Sequence, residues 1–329
     1  MNLPRLGLGC MNLSHAYGIP PSFDEGVEIL RGALDDGIRL LDTATLYGSG
    51  RNEELVGRAV AGRRDEVVLA SKGGMAMVDG VKVIDGRPET LRAQVDASLA
   101  RLGVDHIDLY YLHRWDKNVP IADSVGALAE AVDAGKIGAI GLSEVSVARL
   151  REAQAVAPIA AVQNEYSLWT RNAELGMLEA TGADGVALVA FSPVARGFLA
   201  DGVTDPEALA PKDIRRAMPR FQPEHWPANA ALLPHWRALA AEAQCTPAQL
   251  ALAWLLSRGD HVVPIPGTTR AEHVRENIAA LDVIVDPAVL ARAGELISFA
   301  TVSGSRYNAV GNSEVDAETF EPSATGGAA

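Results

Sequence analysis

Apolar residues along this chain follow two rhythms. Short, nearly continuous apolar runs occur at residues 5–9, 39–42, 66–71, 106–113, 137–142, 159–163, 185–191 and 261–265. Between them, apolar positions recur every three or four residues, the spacing of one face of a helix. The runs lack the alternation of a half-wet strand, so they predict parallel strands covered on both faces. The helical stretches are punctuated. Ser22 with Glu25 reads as a capping box ahead of Val27, Leu30 and Leu34, and Gly37 ends the run. Pro88 suits a first helical turn before Leu91, Val95, Leu99 and Leu102, with Gly103 as the stop. Val125, Leu128 and Val132 precede Gly135 in the same way, and Thr246-Pro247 opens Leu250, Ala253, Trp254 and Leu256.

Strand and helix alternate through eight units, which predicts an α/β fold of the (β/α)8 barrel type. A doubly wound sheet is the alternative. Its phosphate-binding turn is missing, because Gly7-Leu8-Gly9-Cys10-Met11-Asn12 lacks the third glycine. No linker divides the chain, so residues 1–322 read as one domain, with an extra C-terminal helical segment and a disordered tail at 323–329. The irregular stretch 197–228 reads as an insert after the seventh strand, and loops of that length are commonly functional.

Composition narrows the function. An apolar content of 48% with 22% charged residues is that of a globular domain. A net charge of −13 argues against nucleic acid as a partner. Cys10 and Cys245 give neither a disulfide framework nor metal-ligand spacing, which fits a reducing cytoplasm. No apolar run approaches the roughly 18 residues of a membrane span. The seven histidines are scattered, so no metal site is expected. Oligomeric state is not readable.

Candidate chemistry gathers where predicted strands end. Asp42 closes the second, Lys72 the third and His113 the fourth, and Tyr47 follows in the loop after Asp42. Singly, these are a turn residue, a solvent boundary, a buried histidine and a packing tyrosine. In a barrel, consecutive strand ends converge on one face, where barrel enzymes do their chemistry. A free phenol has a pKa of about 10, too high for easy proton exchange near neutrality. An ammonium beside it favours the phenolate, and a carboxylate holds that ammonium in place. With a histidine to orient a substrate oxygen, the set suits protonation of a carbonyl being reduced.

The strings Asp42-Thr43-Ala44-x-x-Tyr47-Gly48, Ala70-Ser71-Lys72 and Tyr111-Leu112-His113 resemble the aldo-keto reductases. The likeness runs from Gly7 to about Leu281, through Gly138–Ser143, Gln163-Asn164-Glu165-Tyr166-Ser167-Leu168, Phe191-Ser192-Pro193 and Ile265-Pro266-Gly267-Thr268 with Glu276-Asn277. Gly141–Ser146, Asp213-x-Arg215-Arg216, Pro219-Arg220-Phe221 and Arg306-Tyr307 are similar to the pyridoxal and perakine reductase-like branch.

The resemblance implies bound NADPH and a small carbonyl substrate. It gives Tyr47 the role of proton donor, tuned by Lys72 and Asp42, with His113 aiming the carbonyl. Ser143 and Gln163 would hold the nicotinamide carboxamide and Phe191 would stack under the ring. Ser192, Pro193, Val194, Arg196 and Gly197 would wrap the pyrophosphate. Gly267, Thr268 and Arg270 would meet the adenosine 2′-phosphate, and Glu276 and Asn277 the adenine. Tyr17, Trp115, Tyr166 and Trp169 would line the substrate pocket. Three positions depart from the family pattern: Phe191 where many relatives have Tyr, Glu144 where many have Asn, and Gly267 where some have Lys. A preference for NADPH therefore rests on Arg270, aided by the amides of the helix that starts there. The function implied is NADPH-dependent reduction of an aldehyde or reactive ketone, such as an aromatic aldehyde, a dicarbonyl or a pyridoxal-like compound. The alternatives are a cofactor-bearing regulatory subunit of the same fold with little turnover, and a phosphate-handling barrel isomerase.

Overall fold

In the computed structural model, which describes residues 1–14 and 16–320, the eight apolar runs become eight parallel strands. Numbered along the chain, the strands are β1 (Leu8–Gly9), β2 (Leu40–Asp42), β3 (Val68–Gly73), β4 (Met75–Val78), β5 (Val81–Ile84), β6 (Leu109–Leu112), β7 (Ile140–Ser143), β8 (Ile159–Glu165), β9 (Ala187–Phe191) and β10 (Val262–Pro264). Strands β4 and β5 form a separate antiparallel hairpin, and the other eight follow one another in sheet order. The sheet closes on itself. The Gly7 N–H donates to the Pro264 carbonyl at 3.0 Å, the Gly9 N–H donates to that of Pro266 at 3.3 Å, and Gly9 bridges to Gly267. This is the expected (β/α)8 barrel.

The helices are α1 (Phe23–Asp35), α2 (Arg51–Val60), α3 (Pro88–Leu102), α4 (Ile121–Asp133), α5 (Val147–Gln154), α6 (Met177–Asp184), α7 (Trp226–Ala230), α8 (Leu233–Glu242), α9 (Pro247–Leu256), α10 (Ala271–Ala279), α11 (Pro287–Leu296) and α12 (Ala309–Ser313). Their punctuation is chemical. The Ser22 hydroxyl accepts from the Glu25 N–H while the Glu25 carboxylate accepts from the Ser22 N–H, and Thr246 and Gln249 repeat the reciprocal pair at α9. Such caps satisfy N–H groups that the first helical turn cannot.

The continuous apolar runs have a two-sided explanation. Leu40, Ala70, Leu109 and Tyr111 point into the barrel, while Leu41, Leu69, Tyr110 and Leu112 pack outward under the helices. The Tyr111 ring fills the interior so tightly that a Cβ at Gly141 would sit 2.3 Å from it. Any side chain there would displace the ring or the strand.

Three features differ from the sequence expectation. The fifth of the apolar runs pairs late: Ile137 makes only an isolated bridge to Ile107, and the strand itself is Ile140–Ser143. The β4–β5 hairpin was not anticipated, although Asp79-Gly80, both at positive φ, is its turn signal. The insert after β9 consists of short 3₁₀ turns and is tied down by Asp213, which accepts from Gly18 N–H at 2.9 Å and pairs with Arg215 at 2.7 Å. The tail expected at 323–329 lies outside the described residues. No described helix is long and apolar enough to cross a membrane.

Residues 303–318 run as a strap over the C-terminal rim of the barrel. Asp316 N–H donates to the Glu144 carbonyl at 2.9 Å, Asp316 accepts from the Ser146 hydroxyl at 2.7 Å, and Glu318 accepts from Val147 N–H at 2.6 Å. Lys82 at the hairpin pairs with Glu314 at 2.6 Å and joins the strap to the opposite wall.

Candidate active site

The rim under the strap opens into one elongated cleft of about 1050 Å³, at the upper end of the usual range for small-molecule sites. Asp42, Tyr47 and His113 lie at one end, and Thr268, Arg270, Glu276 and Asn277 at the other. The register explains the first group. Strand β2 ends at Asp42, beside Ala70 of β3, so Lys72 lies two residues beyond that pairing, and His113 follows β6 directly.

Lys72 Nζ binds the Asp42 carboxylate, donates to the Thr43 carbonyl at 2.9 Å, and lies 3.2 Å from the Tyr47 hydroxyl. Its side chain is fully buried. Burial alone disfavours the ammonium, but Asp42 and Tyr47 outweigh that penalty and hold the lysine above its ordinary value. It is charged at neutral pH. For Tyr47 the balance goes the other way: burial raises the phenol above its ordinary value, and Lys72 pulls it back only partly. The expected lowering by the lysine is thus present as a contribution but is not the net direction. The Asp42 carboxylate also accepts from Gln163 at 2.8 Å, so the ion pair is fixed from two strands.

Burial, aided by the positive charges of Arg114, Lys72 and Lys82, pushes His113 well below the usual imidazole value of 6.5. Its Nδ1 is buried without a partner, and its ring meets Tyr47 edge-on at 5.8 Å. A neutral buried histidine has a consequence for stability. Between the depressed folded pKa and the unfolded value, the unfolded chain binds a proton that the native one refuses. The stability from this group is complete above about pH 6.5 and is lost as pH falls, by up to about 1.4 kcal/mol per pH unit. Urea unfolding at pH 7 and pH 5.5 should show His113→Asn losing about 1 kcal/mol less than the unsubstituted chain. Equal losses would mean that the imidazole is not held neutral.

The remaining expected residues divide. Ser143, Gln163, Phe191, Ser192, Pro193, Val194, Arg196, Gly197, Gly267, Thr268, Arg270, Glu276, Asn277 and Tyr17 all line the cleft. Ser192, Ala195, Arg196 and Gly197 have positive φ and wind tightly round its middle; strain of this kind gathers at functional sites. The Arg196 guanidinium is already engaged, pairing with Glu165 at 2.8 Å and donating to the Tyr17 and Tyr307 hydroxyls at 3.0 Å each. Gly267 is explained by contact: a Cβ there would lie 2.9 Å from the Gly9 carbonyl and 2.8 Å from Asn12 Oδ1.

Trp115, Tyr166 and Trp169 do not line the cleft. Trp169 stacks on Phe198 at 4.3 Å, Tyr166 packs edge-on against Trp254, and both are buried. Trp115 donates to the Val119 carbonyl and lies under the Arg149 guanidinium. These rings serve the core because they have apolar partners beneath the rim. The cleft instead takes in residues not anticipated, including Lys82, Arg114, Asn308 and Glu314. Glu144 turns away, at φ 56°, to pair with Arg306. Cys10 is a packing residue whose buried thiol is pushed far above its ordinary value.

A sequence profile described as the Aldo/keto reductase family matches residues 5–297. The chain belongs to the aldo/keto reductase family. It is 41% identical over 306 residues to a probable aldo-keto reductase 1 of Glycine max, covering 92% of this chain and 88% of that one. Among solved family members, it is similar to the glycerol dehydrogenase of Gluconobacter oxydans, with a TM-score of 0.81, 28% identity, and 92% and 94% of the two chains covered. It is also similar to an aldo/keto reductase of Klebsiella pneumoniae in complex with NADP and acetate, with a TM-score of 0.69, 26% identity, and 96% and 95% covered. Asp42, Tyr47 and His113 line the same cleft, and Lys72 lies beneath them, bonded to Asp42 and Tyr47.

Proposed function

We propose that the chain is an NADPH-dependent carbonyl reductase acting on an aldehyde or reactive ketone. The observation that carries the reading is the buried ammonium of Lys72, held between the Asp42 carboxylate and the Tyr47 hydroxyl at the cleft floor. The donor set fits a nicotinamide dinucleotide: a flat aromatic surface at Phe191, an amide and a hydroxyl at Gln163 and Ser143, a winding backbone at 192–197, and a cation at Arg270. When bound, the reduced nicotinamide supplies hydride to the carbonyl carbon and leaves oxidised.

The residues of the chain manage the proton and the charge. Tyr47 keeps its proton through neutral pH because burial raises its pKa, so it is available to the carbonyl oxygen as the C=O π bond breaks. The phenolate left behind is stabilised by the Lys72 ammonium 3.2 Å away. Neutral His113 offers a hydrogen bond that orients the oxygen without competing as a proton source. Asp42 keeps Lys72 charged and in place, and Gln163 keeps Asp42 in place.

The direct test follows the loss of reduced-nicotinamide absorbance with a panel of aldehydes, dicarbonyls and pyridoxal. Turnover supports the reading. Saturable NADPH binding with no turnover on any carbonyl would instead favour a cofactor-bearing regulatory subunit, and no binding would exclude both. Cofactor choice provides a second check. Arg270 is exposed and only loosely paired with Glu272, at 3.8 Å, so its charge is free for a 2′-phosphate. Arg270→Ala is expected to weaken NADPH by roughly ten- to hundredfold, the worth of one hydrogen bond to a charged group, and to leave NADH nearly unchanged. Equal weakening of both would remove Arg270 from that role.

A further inference from the structure

Five arginine or lysine side chains line the cleft: Lys82, Arg114, Arg196, Arg215 and Arg270. Four have a carboxylate within 4.0 Å, namely Glu314, Glu165, Asp213 and Glu272 respectively. Arg114 pairs with none among the described residues. Its Nη1 donates to the His113 carbonyl at 2.7 Å and to the Ser143 hydroxyl at 3.1 Å, and its Nε is buried without a partner. Lys72, deeper in the floor, is neutralised by Asp42. The reacting end of the cleft therefore carries one uncompensated, half-buried positive charge, in a chain whose net charge is −13.

A half-buried charge without a counterion is costly, and a neutral hydrogen-bond partner does not repay it. The proposed cofactor offers no counterion here. Its anionic groups belong to the middle and far end of the cleft, at 192–197 and Arg270, and only the uncharged carboxamide reaches Ser143. Arg114 directly follows His113, and its charge is felt at both His113 and Tyr47. An anion that neutralised it would lie beside the reacting carbonyl.

We infer that Arg114 selects carbonyl substrates that carry a carboxylate close to the group being reduced. The inference rests on the carbonyl-reductase reading and names the substrate class of that same site. A guanidinium N–H makes a charge-assisted hydrogen bond to a carboxylate, roughly twice as strong as a neutral one. Arg114 has its Nη2 still without a protein partner for that purpose.

The test compares 2-, 3- and 4-carboxybenzaldehyde with their methyl esters, using NADPH as reductant. For at least one isomer, kcat/KM for the acid should exceed that for the ester by about ten- to hundredfold, the range for a hydrogen bond to a charged group. Arg114→Leu should bring that ratio close to one, and Arg114→Lys should keep part of it. NADPH affinity, read by quenching of tryptophan fluorescence, should stay within about twofold in both variants, which also verifies that they fold. An unsubstituted enzyme that reduces every ester as well as its acid overturns the inference and leaves the reductase reading intact. So does an Arg114→Leu variant that keeps the acid preference but loses NADPH affinity, since that places Arg114 on the cofactor. No turnover of any acid or ester, while pyridoxal or a dicarbonyl is reduced, overturns the inference alone; no turnover of any carbonyl defeats both.

Discussion

Tyr47→Phe is expected to lower kcat for carbonyl reduction by roughly 10²- to 10⁴-fold, the usual contribution of a positioned general acid, with the dissociation constant for NADPH nearly unchanged. The substitution removes one oxygen from a largely buried ring at the edge of the cleft. Lys72 keeps its contacts with Asp42 and the Thr43 carbonyl, so the floor should stay in place and the loss should fall on proton delivery. The check is a single-turnover measurement with enzyme premixed with NADPH, which separates the chemical step from product release. A phenylalanine variant that reduces aldehydes at the original single-turnover rate would refute the proton-donor assignment, even if its steady-state rate fell.

The second large effect is on stability, away from the reacting atoms. The Glu144 side chain is fully buried and Arg306 nearly so, and they pair with each other across the rim. Arg306→Met strands a carboxylate in the interior, and breaking a buried pair from one side costs about 3–5 kcal/mol. The urea midpoint should fall accordingly. Replacing both residues, with Glu144→Gln alongside, should recover most of that loss, because the stranded charge rather than the missing attraction is what destabilises. A single variant as stable as the original chain would show that Glu144 finds water or another partner. This pair also explains the departure at position 144. The residue cannot serve a ligand while it anchors the strap.

What was legible in the sequence was whatever depends on neighbours along the chain. Strand ends carrying Asp42, Lys72 and His113 could be read because parallel strands in sequence order place their ends together. The capping boxes at Ser22 and Thr246 were legible for the same reason: both partners lie within four residues. The aromatic assignment was harder. Trp115, Tyr166 and Trp169 lie in loops after strands, as pocket residues do. Which way a ring turns depends on Phe198, Trp254 and Arg149, residues far off in the chain. Arg114 was visible beside His113, but its significance is the absence of a counterion, and that is known only once Glu314, Glu165, Asp213 and Glu272 have been placed beside the other cations. The β4–β5 hairpin was the one avoidable omission, since Asp79-Gly80 between two apolar stretches is a local signal.

The strap has an implication for how such a protein can change. The family match stops at residue 297, yet Tyr307, Asn308, Val310 and Glu314 border the cleft. The floor that holds Asp42, Tyr47 and Lys72 and the strap that borders the cleft are thus written in separate stretches of chain. Exchange of one terminal segment between relatives could alter which molecules enter while the catalytic floor is inherited whole.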